Sequence, residues 1–80
     1  MHELGILRYI VRLVKQTADK NKIKLIRYIT LEVGYDSGIV PYYMKKLYPL
    51  LADTLPLLKN AELRIRMVCG KGLVVKDIGY

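Results

Sequence analysis

The spacing of apolar residues switches between two periods along this chain, and that switching restricts the folds open to it. From Glu3 to Lys20, the residues Leu4, Leu7, Ile10, Val11, Val14 and Ala18 recur at the 3.6-residue period of one helix face, with Arg8, Arg12, Lys15 and Asp19 opposite. Glu3 falls in the first turn, where a negative charge suits the helix dipole, and Asn21-Lys22 ends the pattern. From about Leu25 to Gly34 the period becomes two. Ile29, Leu31 and Val33 alternate with Tyr28, Thr30 and Glu32, as in a strand with one buried face.

Tyr35-Asp36-Ser37-Gly38 reads as a loop. A second helix is expected to start near Pro41, a good first-turn residue, with Met44, Leu47, Tyr48 and Leu51 facing inward. Pro49 removes a helical hydrogen bond and crowds the preceding turn, which predicts a kink or a restart there, and Pro56 lies beyond the helix end. The two-residue period returns at Glu62 to Val68, with Leu63, Ile65 and Met67 on one face and Glu62, Arg64 and Arg66 on the other. Cys69-Gly70-Lys71-Gly72 leads into a last strand from Leu73 to Ile78, and two strands so closely joined predict an antiparallel hairpin. The expected fold is α+β, a two-layer sandwich of a three-stranded sheet covered by two helices, in the order α-β-α-β-β.

At 80 residues the chain is one domain with one core, and a hydrophobic share of 52% is enough to build it. Apolar stretches are broken by Lys, Arg or Pro short of the roughly 20 residues a membrane span needs. The start Met1-His2-Glu3, with Arg8 and Arg12 close behind, lacks the form of a signal peptide, so the expected location is the cytoplasm. Cys69 is the single cysteine, which excludes an internal disulfide and any zinc site made of several thiolates of one chain; it reads as a buried or turn-edge thiol without a role.

Signatures of catalysis are missing. Gly70-Lys71-Gly72 lies between strands rather than between a strand and a helix, so it is no phosphate loop. The carboxylates Asp19, Glu32, Asp36, Asp53, Glu62 and Asp77 show no paired spacing and read as solvated charges. No enzymatic activity is expected.

The chemistry that remains is at the start of the chain. His2 is the only histidine. An α-amino group titrates near about 7.7–8.0, so a free Met1 amine is partly neutral at physiological pH. The Met1 amine, the backbone nitrogen and imidazole of His2, and the backbone nitrogen of Glu3 can close contiguous chelate rings about one ion. Four nitrogens in a tetragonal set suit Ni(II) or Cu(II) and match Mg, Ca or tetrahedral Zn poorly. These ligands must lose protons, so binding weakens in acid. A lone histidine near a terminus is also commonly a free surface side chain.

Met1-His2-Glu3-Leu4 followed by an amphipathic helix resembles the HypA/HybF family of nickel-incorporation proteins. So do Ile29-Thr30-Leu31-Glu32-Val33-Gly34, Ser37-Gly38-Ile39-Val40-Pro41, Thr54, Ala61-Glu62-Leu63-Arg64-Ile65 and Gly72-Leu73-Val74-Val75-Lys76-Asp77-Ile78, all in the family's order. The resemblance runs over residues 1–80 as one domain. It implies delivery of nickel to nickel–iron hydrogenase precursors and in some members to urease, with a nickel-handling GTPase as partner. By residue match it implies a nickel site at Met1, His2 and Glu3.

The family's zinc domain, two CxxC pairs placed between the last two strands, has no counterpart here. Cys69 stands where it would be inserted, and one thiol holds no structural zinc. The stability, dimerisation and pH sensing tied to that domain are not carried over. Val40 stands where members often have an acidic residue near the nickel site.

Lysines and arginines number 14 against seven acidic residues, leaving a net charge of +7. Lys20, Lys22 and Lys24 cluster after the first helix, Lys45 and Lys46 lie on the second, and Arg64 and Arg66 share a strand face. These groups keep the surface solvated or dock an acidic partner. Tyr42-Tyr43 beside Lys45-Lys46 is the only pattern suited to stacking nucleic-acid bases, and charge alone supports that reading. The leading expectation is a nickel-binding accessory protein. The alternative is a metal-free basic module for protein interaction or regulation on the same fold. An exposed sheet edge would be the route to a homodimer.

Overall fold

The first helix, α1, runs from His2 to Lys20 and carries its buried residues on one stripe: Glu3, Leu7, Ile10, Val11, Val14 and Ala18. Leu4, expected on that stripe, is only half-buried, and Glu3 is buried in the helix's first turn. The helix ends in a Schellman arrangement. Ile23 N–H donates to the Ala18 carbonyl (2.8 Å) and Lys22 N–H to that of Asp19 (3.3 Å), with Lys22 in the left-handed region at φ 57°.

The computed structural model describes residues 2–80. After α1 come β1 (Tyr28–Gly34), α2 (Pro41–Ala52), a 3₁₀ turn (Pro56–Leu58), β2 (Glu62–Val68) and β3 (Leu73–Gly79). The expected element order and the α+β architecture are what the fold contains. Strand β1 is shorter than the apolar pattern implied: Leu25 is exposed, and Ile26 is buried ahead of the strand through its N–H bond to the Leu57 carbonyl (3.0 Å).

Helix α2 opens with Pro41 and continues through Pro49 to Ala52, without the expected restart. Pro49 is nine residues into the helix and exposed, so the carbonyl one turn earlier, on exposed Lys45, can be served by water. Met44, Tyr48 and Ala52 are its buried residues. The Tyr48 hydroxyl is buried without a hydrogen-bond partner among the described residues.

The sheet corrects the expected hairpin. Its order is β2-β1-β3, so β2 and β3 are not neighbours and both pair with β1. β1 and β2 are parallel, from Tyr28 opposite Glu62 to Gly34 opposite Val68, which α2 makes possible as the crossover. β1 and β3 are antiparallel, with a register shift between Thr30 and Leu31 that leaves Lys76 unpaired as a bulge. Residues 69–72 do not turn back on β2. They cross the end of β1, where Asp36 N–H donates to the Gly70 carbonyl (2.8 Å) and Gly34 N–H to the Gly72 carbonyl (2.8 Å). Two glycines make the crossing possible. Gly70 takes φ 115°, and a Cβ on Gly34 would collide with the Gly70 carbonyl and the peptide that follows it. The glycines signalled a turn, and the turn is real; it spans a third strand.

Both helices lie on the face formed by Ile29, Leu31 and Val33, each fully buried against Leu7, Ile10, Val14, Met44 and Leu58. The other face is open. There Glu32 is within 3.8 Å of both Arg66 and Lys76, and the Arg64 guanidinium stacks 3.9 Å over the Tyr28 ring.

This topology gathers chain ends. β1 returns antiparallel to α1, so the end of β1 and the loop after it, the starts of α1, α2 and β3, and the crossing at 69–72 share one end of the molecule.

Candidate metal centre

That shared end holds His2 and Glu3, two of the residues singled out at the chain start. Met1 lies outside the described residues. His2 is the first residue of α1 and is exposed. It borders an open groove of about 560 Å³ lined by Gly5, Ile6, Tyr9 and Leu73. The first N–H groups of a helix have no acceptor within it, which leaves the amides of His2 and Glu3 available for another role.

Glu3 does something the sequence reading did not assign. The residue is buried, 6% exposed, and its carboxylate Oε2 accepts a part-buried hydrogen bond from the Val40 N–H (3.2 Å). Val40 is the residue before α2 and has no capping side chain. Glu3 therefore caps α2 from 37 residues away and places its negative charge at the positive end of that helix dipole. A signal existed: an apolar Val40 directly before Pro41 means that α2 must find its acceptor elsewhere in the fold. The departure noted at Val40 is thus matched by a job for its backbone.

Among the described residues no three His, Cys, Asp or Glu side chains are arranged to hold a metal ion. Cys69 is exposed at the crossing, a turn-edge position. The Glu3 carboxylate has a structural role in its bond to Val40, and the nitrogen donors read from the sequence, the His2 imidazole and the first-turn amides, lie at the same helix start. Such a set favours a tetragonal ion of the nickel or copper type.

The architecture defines a class, the domain of HypA metallochaperone structures. It matches the solution structure of the Ni metallochaperone HypA from Helicobacter pylori with a TM-score of 0.78 at 15% identity, covering 94% of this chain and 70% of that one. A second HypA solution structure gives a TM-score of 0.72 at 18% identity, covering 96% and 71%. These likenesses establish the fold. Two curated relatives, the hydrogenase maturation factors HypA of Legionella pneumophila strains Corby and Paris, are each 29% identical over 73 residues. The match takes in 91% of this chain and spans 64% of their length. The family model described as hydrogenase/urease nickel incorporation, metallochaperone, HypA matches residues 1–74. The chain belongs to the HypA family.

Proposed function

We propose that this chain is a nickel-binding accessory protein that holds Ni(II) at Met1, His2 and Glu3 for the maturation of nickel enzymes such as nickel–iron hydrogenase. The observation that carries the reading is the exposed His2 imidazole at the head of a helix, where first-turn amides have no acceptor within the helix. Family membership supports nickel as the cargo. Glu3 contributes its backbone nitrogen, while its carboxylate holds the start of α2 beside the site.

An ion held at an exposed chain start leaves by ligand exchange, without any opening of the core. The receiving protein, a hydrogenase precursor or a nickel-handling GTPase, docks at this end and presents competing ligands. The chain works in the cytoplasm as a carrier and turns over no substrate. No structural zinc is part of this reading, since Cys69 alone cannot hold it.

The test is a calorimetric Ni(II) titration of the protein with a free Met1 amine beside His2→Ala. One ion per chain, lost in the variant, is the expected result. No binding by either protein, with both folded, overturns the reading in favour of a metal-free basic interaction module.

A further inference from the structure

The two edges of the sheet are not alike. β3 is interrupted by the bulge at Lys76 and carries Lys76 and Asp77 exposed, features that keep an edge from pairing. β2 has neither bulge nor proline and pairs with β1 in unbroken register over its seven residues. Glu62 N–H donates to the Arg27 carbonyl and the Val68 carbonyl accepts from Tyr35 N–H, so residues of that parity face β1. The alternate residues, Leu63, Ile65 and Met67, aim their N–H and carbonyl groups at the open edge, where no strand pairs with them.

The space beside that edge is a groove of about 590 Å³, with Ile65 and Met67 on one side and Pro41, Tyr42, Lys45 and Lys46 of α2 on the other. Ile65 and Met67 are half-buried because α2 leans on α1 and leaves this flank of the sheet uncovered. The groove's charge has one sign. Among the described residues no carboxylate pairs with Lys45 or Lys46; Lys46 Nζ is 3.4 Å from the Tyr42 hydroxyl and 5.5 Å from the centre of its ring. Arg64 and Arg66 stand on the open face of the same strand, Arg64 bonded to Glu62 at 2.7 Å and Arg66 within 3.8 Å of Glu32, so of these four the groove lysines are the cations without a carboxylate partner among the described residues.

We propose that β2 accepts an acidic, extended segment of a partner protein as a fourth strand. The partner's backbone pairs with Leu63, Ile65 and Met67, its groove-facing side chains are apolar over Ile65 and Met67 and acidic toward Lys45 and Lys46, and its other face lies beside Arg64 and Arg66. A second copy of the chain is a poor occupant, because two β2 edges would set these same cations against each other. This inference is independent of the nickel reading, and its test uses nickel-free protein.

The probe is a fluorescein-labelled peptide of about ten residues built of Val-Val-Glu-Glu repeats, which put both residue types on each face of a strand, titrated by anisotropy and mapped on ¹⁵N-labelled protein. Expected are saturable binding below about 1 mM, weakening with salt, and shifts with slowed exchange at the Leu63, Ile65 and Met67 amides. The double variant Lys45→Glu/Lys46→Glu, on the exposed face of α2, keeps its native spectrum and binds about tenfold more weakly, a loss near 1.4 kcal/mol. A peptide of equal charge with proline at every second position does not bind, because it cannot donate to the edge. No saturation, or shifts centred on β3 or on Lys20 to Lys24, overturns the proposal. Equal binding of the proline peptide or of an oligothymidylate makes the surface a simple cation patch, and a dimer joined through β2 makes the occupant a second copy; either result overturns it.

Discussion

Replacing Glu3 separates two roles that one residue type could serve, metal ligand and helix cap. In Glu3→Ala the Val40 N–H loses its 3.2 Å acceptor, and α2 has no capping side chain of its own to replace it. Loss of a cap costs about 1 kcal/mol, in a range of about 0.5–2. A bond to a charged acceptor lies toward the upper end of such values, at about 1.5–3 kcal/mol. Two facts reduce the loss. Val40 is 41% exposed, so water reaches its N–H, and the variant no longer buries a carboxylate. The net expectation is about 1–2 kcal/mol of destabilisation, which in a domain of this size lowers the melting temperature by about 5–15 °C. Glu3→Gln keeps an acceptor oxygen and loses the charge, so about half the loss should return. Because the proposed site takes only the backbone nitrogen of Glu3, both variants should still bind one Ni(II) with affinity within about threefold of the parent, a difference under about 0.7 kcal/mol. Thermal unfolding by circular dichroism and Ni(II) calorimetry on the same samples read the two roles separately. A melting temperature unchanged to within about 2 °C, with nickel affinity down about tenfold or more, would refute the capping argument and make the carboxylate a ligand.

Three more substitutions test the packing. Burial, and secondarily the charge of Asp53, pushes the Tyr48 hydroxyl up to about 12 from its ordinary value of 10.0. The folded state therefore resists ionisation: this stabilisation is complete below pH 10 and is lost as pH rises toward 12. Urea midpoints should fall over that interval in the parent and fall less in Tyr48→Phe, which at pH 7 should match or exceed the parent by up to about 1 kcal/mol because it removes an unpartnered buried hydroxyl. Gly34→Ala drives a methyl group into the backbone of the crossing at Gly70 and Lys71, so it should cost about 3 kcal/mol or more in chemical denaturation, whereas Gly5→Ala, with nothing near its Cβ, should be neutral or mildly stabilising.

Side-chain period made the faces of this fold readable. The alternation of Ile29, Leu31 and Val33 marked a strand whose inner residues are fully buried, and the pattern at Glu62 to Val68 gave β2 its observed limits. Period carries no information about neighbours, which is why the strand order escaped it. A four-residue, glycine-bearing link normally closes a hairpin; here it crosses β1 because Gly34 lacks the Cβ that would block the path. The exposure of His2 at the chain start was legible from its position alone. The burial of Glu3 was not, since its partner is a backbone N–H 37 residues away and no local pattern in α1 announces it.

The crossing also bears on how a metal site and an added domain can share one fold. In a hairpin, a domain placed between β2 and β3 would force apart two paired strands. Here β2 and β3 each pair with β1 alone, and their adjoining ends stand about two strand spacings apart, roughly 10 Å. That gap can carry a four-residue crossing or a much longer insertion without changing a ladder bond. The resemblance puts the family's zinc domain at this same point. His2 and Leu73 border one groove, so a domain inserted there would emerge beside the proposed metal site. The Glu3–Val40 bond is supplied entirely by α1 and α2 and needs nothing from the inserted domain. The start of α1 is thus positioned by α1 and the residue ahead of α2, and the geometry around His2 does not depend on the length of the link between β2 and β3.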